Sequence, residues 1–167
     1  IDSLLAMSQL SRNEMRKDAV DLTELARSVA AQLRQAEPDR RVSVEIQPGL
    51  QAKGDSRLFG AVLHNLLGNT WKFTRRREDA QIVVGENSER GTKVYFVKDN
   101  GTGFDMAHSG KLFSVFQTLH SRREFAGNGV GLATVQRIVN RHGGRVWAES
   151  TVDRGATFYF TIGEHFS

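Results

Sequence analysis

The chain has 167 residues, of which 39% are apolar and 25% charged, enough for one domain with a real core. It has no cysteine, which excludes disulfides and thiolate metal sites, and no apolar run approaches the ~18 residues of a membrane-spanning helix. Its net charge of +4 is dispersed, with one dense cluster (Lys72 and Arg75 to Arg77) and a lesser one at Arg122 and Arg123. No aromatic-interleaved basic strand accompanies them, so the surplus points to anionic ligands or an acidic partner and away from nucleic acid.

The chain begins at Ile1 and reads as a piece of a longer protein. Residues 1 to about 18 read as the end of a helix whose few apolar residues (Ile1, Leu4, Leu5, Met7) need more chain to bury them. After a break, Asp21 with Glu24 three residues on resembles a capping box. A helix follows to about Gln35, with Leu22, Leu25, Ala26, Val29, Ala30 and Leu33 on its inner face. Arg41 to Gln47 alternates as a strand does, and Pro48-Gly49 closes it. Asp55 or Ser56 then caps a helix in which Phe59, Val62, Leu63, Leu66, Thr70 and Phe73 form an apolar stripe. A charged loop runs from Thr74 to Asp79. Ala80 to Glu86 and Thr92 to Lys98 form a hairpin across Asn87 to Gly91, and the second strand runs into Asp99-Asn-Gly-Thr-Gly103.

Lys111 to Phe116 is a short amphipathic piece with two phenylalanines, and Gln117 to Asn128 reads as a loop. A helix opens at Gly129 and stops at Gly143-Gly144. Arg145 to Glu149 and Ala156 to Ile162 are closing strands joined by a turn at Asp153 to Gly155. Helices and strands mix without a regular βαβ alternation. That order favours an α/β (α+β) two-layer sandwich with one mixed sheet and its helices on one face.

Three segments carry chemistry. Asn65, Asn69 and Lys72 cluster on the flank of the apolar stripe. Each Asn offers a neutral oxygen to a hard cation and the lysine offers donors to phosphate, although satisfied polar flanks of a half-buried helix have the same pattern. Asp99-x-Gly-x-Gly103 ends a strand. There a carboxylate can accept from an exocyclic amine while glycine backbone approaches a flat base, or the segment is an ordinary turn. Gly127-Asn-Gly-Val-Gly131 opens a helix and reads as a phosphate cradle, a hinge, or both.

In this order the segments resemble the ATP-binding catalytic domain of sensor histidine kinases, within the gyrase, heat-shock chaperone, histidine kinase and MutL superfamily. NLLGNTWKFT is similar to the N box, DNGTGFD to the first glycine box, KLFSVF to the F box and GNGVGLATV to the second. GATFYFTI resembles the closing strand that carries an adenine-side Thr, and the wording around the boxes looks most like phytochrome-linked kinases. The resemblance covers residues 20 to 163 and implies a Bergerat-type ATP-binding fold with a mainly antiparallel sheet. It assigns 1–19 to the end of a dimerisation helix and 20–167 to the catalytic domain.

The resemblance implies ATP and Mg²⁺ as cofactors. Asp99 would bind the adenine amine, with Thr157 supporting it through water. Asn65 and Asn69 would hold Mg²⁺ and phosphates, either one being the direct ligand, and Lys72 would reach a phosphate. Gly101 and Gly103 would shape the base pocket. Gly127, Gly129 and Gly131, with Leu132 in the same box, would line the phosphate side. Phe113 and Phe116 would anchor a lid, or simply pack. The implied reaction is γ-phosphoryl transfer to a histidine on a dimerisation domain outside this chain, then to a response regulator, in a homodimeric parent with this domain facing the cytoplasm.

Superfamily hydrolases carry a Glu at the position of Asn65 to activate water. An amide cannot act as that base, which favours kinase over ATPase. Thr70 stands where the family usually has Ala and His64 where it often has Glu. Thr118 stands where many relatives carry Arg, which leaves a degenerate docking module as the alternative.

Overall fold

A computed structural model of the chain describes residues 18–89, 91–102 and 129–163. The chain enters as strand β1 (Asp18–Asp21), and Asp21 then caps helix α1 (Leu22–Ala36) by accepting from the Glu24 N–H at 3.0 Å. The Glu24 carboxylate takes the Arg27 guanidinium at 3.1 Å. Leu22, Ala26, Val29 and Ala30 are buried, as a 3.6-residue period requires of a core-facing helix. Strands β2 (Val42–Ile46) and β3 (Gln51–Gly54) lead to helix α2 (Ser56–Phe73). Of the two candidate caps, Asp55 is the one used, accepting from the Arg57 N–H at 3.0 Å. Strands β4 (Ala80–Glu89) and β5 (Thr92–Asp99), helix α3 (Gly129–Arg141), and strands β6 (Val146–Thr151) and β7 (Gly155–Phe160) complete the described elements.

The main sheet has the order β2-β4-β5-β7-β6. β2 pairs parallel with β4, and the other pairs are antiparallel. Its inner face presents Ile82, Val84, Tyr95, Val97, Phe158 and Phe160. These join Phe59, Leu63, Leu66 and Leu67 of α2 and Val135, Ile138 and Val139 of α3 in one hydrophobic core. Gln81, Lys98 and Glu149 alternate onto the exposed outer face. The expected two-layer sandwich with a mixed, mainly antiparallel sheet is the fold observed.

Three expectations are corrected. The sheet is not single, because β1 and β3 form a separate antiparallel ribbon, with Val20 opposite Ala52. The end of the helix assigned to 1–19 is strand: Asp18 and Ala19 pair with Gly54 and Lys53, while residues 1–17 lie outside the described ones. The β4–β5 hairpin is also tighter than expected, with pairing continuing to Glu89 and Thr92.

Candidate functional site

Helix α2 sets the frame. Its apolar stripe is buried as expected, Thr70 included, whose hydroxyl donates to the Leu67 carbonyl at 2.8 Å. Asn65, Asn69 and Lys72 share one flank and line a cavity of about 780 Å³ with His64, Gly68 and Arg75. The Asn65 amide donates to the Ala61 carbonyl one turn back at 2.8 Å, which fixes the carboxamide and leaves its oxygen for other use. Asn69 is 8% exposed, and among the described residues no hydrogen bond engages its side chain. Burial, and secondarily Arg75, holds the Lys72 ammonium below its ordinary pKa. Among the described residues no cluster of three His, Cys, Asp or Glu offers a metal cage. A pair of carboxamide oxygens suits a hard cation that keeps waters and phosphate oxygens as its other ligands.

Asp99 closes β5. Its side chain is 3% exposed, and Oδ1 accepts from the N–H groups of Gly101 at 2.8 Å and Ala156 at 3.3 Å. Oδ2 is buried with no partner among the described residues. Burial pushes its pKa up to about 6, against the pull of the two backbone donors. A buried carboxylate oxygen without a partner among the described residues has capacity to accept one more hydrogen bond.

Asp99 does not line the α2 cavity but is spliced to the helix behind it. The Thr102 N–H donates to the Phe73 carbonyl at 3.0 Å, satisfying a C-terminal carbonyl of α2. This crossing requires glycine, because a Cβ on Gly101 would run into that same carbonyl. At this end of α2 the Arg40 guanidinium also donates to the Trp71 carbonyl and, at 3.0 Å, to the Thr74 hydroxyl. Sequence reasoning gave neither contact, since both depend on chain crossings that no local pattern encodes.

Thr134 was also missed. It sits in α3 yet lines the cavity of Asn65 and Asn69, which places the N-terminal part of α3 beside the C-terminal half of α2. Gly129 and Gly131 lie in the first turn of α3, where N–H groups have no intrahelical acceptor. Leu132 is 5% exposed and packs in the core.

Thr157 stands one register position away from Asp99. It pairs with Lys98, while Ala156 pairs with Asp99. Cross-strand partners share a face, so Ala156 lies on the side of Asp99 and the Thr157 hydroxyl lies on the opposite side of the sheet. There it lines an outer-face concavity that Asp99 also borders, with Lys98, Arg154 and Tyr159. Gly103, Phe113, Phe116 and Gly127, and with them Thr118, lie outside the described residues.

With the geometry in place, the relatives can be compared. Residues 54–165 match the family described as histidine kinase-, DNA gyrase B-, and HSP90-like ATPase. The chain is similar to cyanobacterial phytochrome A of Nostoc sp. (strain PCC 7120), with 37% identity over 97% of this chain and 21% of that protein. It is similar to sensor protein kinase WalK of Staphylococcus epidermidis, with 26% identity over 97% of this chain and 27% of the relative. The chain therefore spans about a fifth to a quarter of the length of these curated relatives. Among solved structures, the mycobacterial sensor histidine kinase MprB superposes with a TM-score of 0.73 at 24% identity, covering 87% of this chain and 97% of that one. Full-length ShkA in complex with AMPPNP gives 0.77 at 24% identity, covering 99% and 35%. These two likenesses establish the fold.

Proposed function

This chain belongs to the histidine kinase-, DNA gyrase B-, and HSP90-like ATPase family, and on that premise we propose that it is the ATP-binding catalytic domain of a two-component sensor histidine kinase. The observation that carries this reading is the unpartnered Oδ2 of buried Asp99, placed to accept from the exocyclic amine of adenine. Asn69 and Asn65 would hold Mg²⁺, which would neutralise phosphate charge. Lys72 contributes a donor to a phosphate, and its depressed pKa fits a cation partly stripped of water. The N–H groups at Gly129 and Gly131 open toward an anion at the α3 N-terminus.

Phosphoryl transfer asks the protein for positioning and charge neutralisation more than for covalent help. Asn65 supplies no general base, so water is not activated from that position and transfer to a side chain is favoured over hydrolysis. The acceptor is a histidine on the parent's dimerisation domain, and a response regulator receives the group next. The parent is a homodimer, with this domain on the cytoplasmic side where ATP is.

Calorimetric titration with Mg·ATP tests the reading. Wild type should bind, and Asp99→Ala should weaken binding by about tenfold to a hundredfold, the worth of one buried charge-assisted hydrogen bond. Equal affinity of the two proteins would refute the adenine assignment, and no binding by wild type would refute the function.

A further inference from the structure

His142 takes no part in the site described above, yet it is 0% exposed and both ring nitrogens are engaged. It follows the last residue of α3. Its Nδ1 lies 2.8 Å from the Ile138 carbonyl of that helix. Its Nε2 accepts from the Asp55 N–H, at the N-cap of α2, at 3.3 Å. These partners define the tautomer, because a carbonyl at Nδ1 requires the proton there and an N–H donor at Nε2 requires a lone pair. The ring rests on Phe59, with centroids 4.5 Å apart. Gly54 leaves room for it, since a Cβ there would meet ring atoms of both Phe59 and His142 within 2.7 Å.

The two helices are therefore joined end to opposite end. The C-terminal end of α3 is bonded to the N-cap of α2, and the early α3 residue Thr134 lines the cavity of Asn65 and Asn69 farther along α2. A splice at one end of such a pair restricts how far the helices can splay at the other. The other end is where the first turn of α3 meets the polar flank of α2.

We propose that His142 is a positioning residue of the nucleotide site: its neutral imidazole splices α3 to the N-cap of α2 and so restricts the spacing between the helix segments that grip phosphate and metal. The proposal rests on the nucleotide-binding reading above. Besides burial, the groups acting on the ring are the Ile138 carbonyl and the Asp55 carboxylate, which favour a cation, and the Arg141 guanidinium, which opposes one. Arg57 lies beyond Asp55, 3.9 Å from its carboxylate. Burial is the largest influence and keeps the ring neutral near pH 7. Protonation at Nε2 would set two donors against each other at the Asp55 N–H and open the splice.

The test is titration of the 167-residue chain with Mg·AMPPNP from pH 5 to 8, for wild type, His142→Phe and His142→Gln. Phenylalanine keeps the ring volume and loses both bonds; glutamine keeps an acceptor within reach of Asp55 and does not titrate. At pH 7.5 the Phe variant should bind about five- to twentyfold more weakly, with the Gln variant recovering most of that loss. Below pH 6.5 the wild-type affinity should fall away from that of the Gln variant, while ionisation of Asp99 and of the ligand acts on both alike. Equal affinities of wild type and the Phe variant, or pH profiles of wild type and the Gln variant that superimpose, would overturn the proposal.

Amide exchange on wild type alone keeps the test open if a variant does not fold. The protection factors of the Asp55 amide and of the last turn of α3 should drop together on acidification, and an Asp55 amide indifferent to pH would also overturn the splice. Wild type that binds no nucleotide while its Asp55 amide responds to pH would instead bring down the nucleotide reading.

Discussion

Asp99 shows what burial costs a carboxylate. Asp99 is 3% exposed, with one oxygen satisfied and the other without a partner among the described residues, and burial pushes its pKa up to about 6 from an ordinary 3.8. An acid whose folded pKa is raised takes up its proton first in the folded state. The folded protein therefore gains stability from this group as the pH falls through 6 toward 3.8. Between pH 7 and pH 5 that gain is about 1 kcal/mol. Asp99→Asn should lose it, visible as a smaller upward shift, or a larger downward one, in the urea midpoint between these pH values. The comparison with the variant is needed because His142 acts in the opposite sense. Its folded pKa is depressed, so its contribution is complete above the ordinary 6.5 and drains away as the pH falls through 6.5 toward the lowered value. Identical shifts in wild type and Asp99→Asn would mean that the open oxygen is not desolvated. A single residue also shows what the sequence leaves open. Ala156 and Thr157 are adjacent, and strand parity alone decides which of them faces Asp99. The motif brings a Thr near the site; only the register shows that its hydroxyl lies on the far side of the sheet.

At the scale of elements, α2 holds the site through what grips its ends. Asp55 caps its start, Arg40 takes carbonyl and hydroxyl oxygens at its end, and Thr102 bonds the Phe73 carbonyl. Two glycines test whether that last crossing matters. Gly60 lies inside α2 with open space around a would-be Cβ, so Gly60→Ala should raise stability by about 0.5–1 kcal/mol through helix propensity. Gly101 has no such room, because its Cβ would collide with the Phe73 carbonyl. Gly101→Ala should cost about 1–3 kcal/mol, as forced overpacking does, and weaken Mg·ATP binding by moving Asp99. Thermal melts of the two variants check both signs, and a Gly101→Ala protein as stable as wild type would show that the crossing is slack. The helix itself was legible because its apolar period, Asp cap and length are local properties of the sequence. The β1–β3 ribbon was not, since neither four-residue strand alternates well and each exists by pairing with the other across α1 and β2. The same holds for the parallel β2–β4 pair, whose register is set by contacts between distant parts of the chain.

For the molecule as a whole, the layers divide the labour between binding and chemistry. The sheet fixes Asp99 at the end of β5, and the α2–α3 pair carries the carboxamides and the first-turn N–H groups of α3. On the proposed reading these parts bind the nucleotide, and its phosphoryl acceptor lies elsewhere. The chain has five histidines, at 64, 108, 120, 142 and 165, and none is followed by an acidic residue on an amphipathic helix. Two can be placed. His142 is buried with both nitrogens engaged, and His64 shares the cavity with Asn65, on the same rigid helix. In-line transfer needs the attacking nitrogen, the phosphorus and the leaving oxygen in a row. His64 is carried by the same helix as the residues proposed to hold the metal and phosphates, which disfavours an in-line approach from its ring. Incubation of the 167-residue chain with γ-labelled ATP and Mg²⁺ should therefore leave the protein without acid-labile label, even at ligand concentrations that saturate it in calorimetry. Adding the parent's dimerisation domain in trans should place the label on that domain. Stable label on the chain itself, abolished by His64→Ala, would overturn this division and identify His64 as the phosphoacceptor.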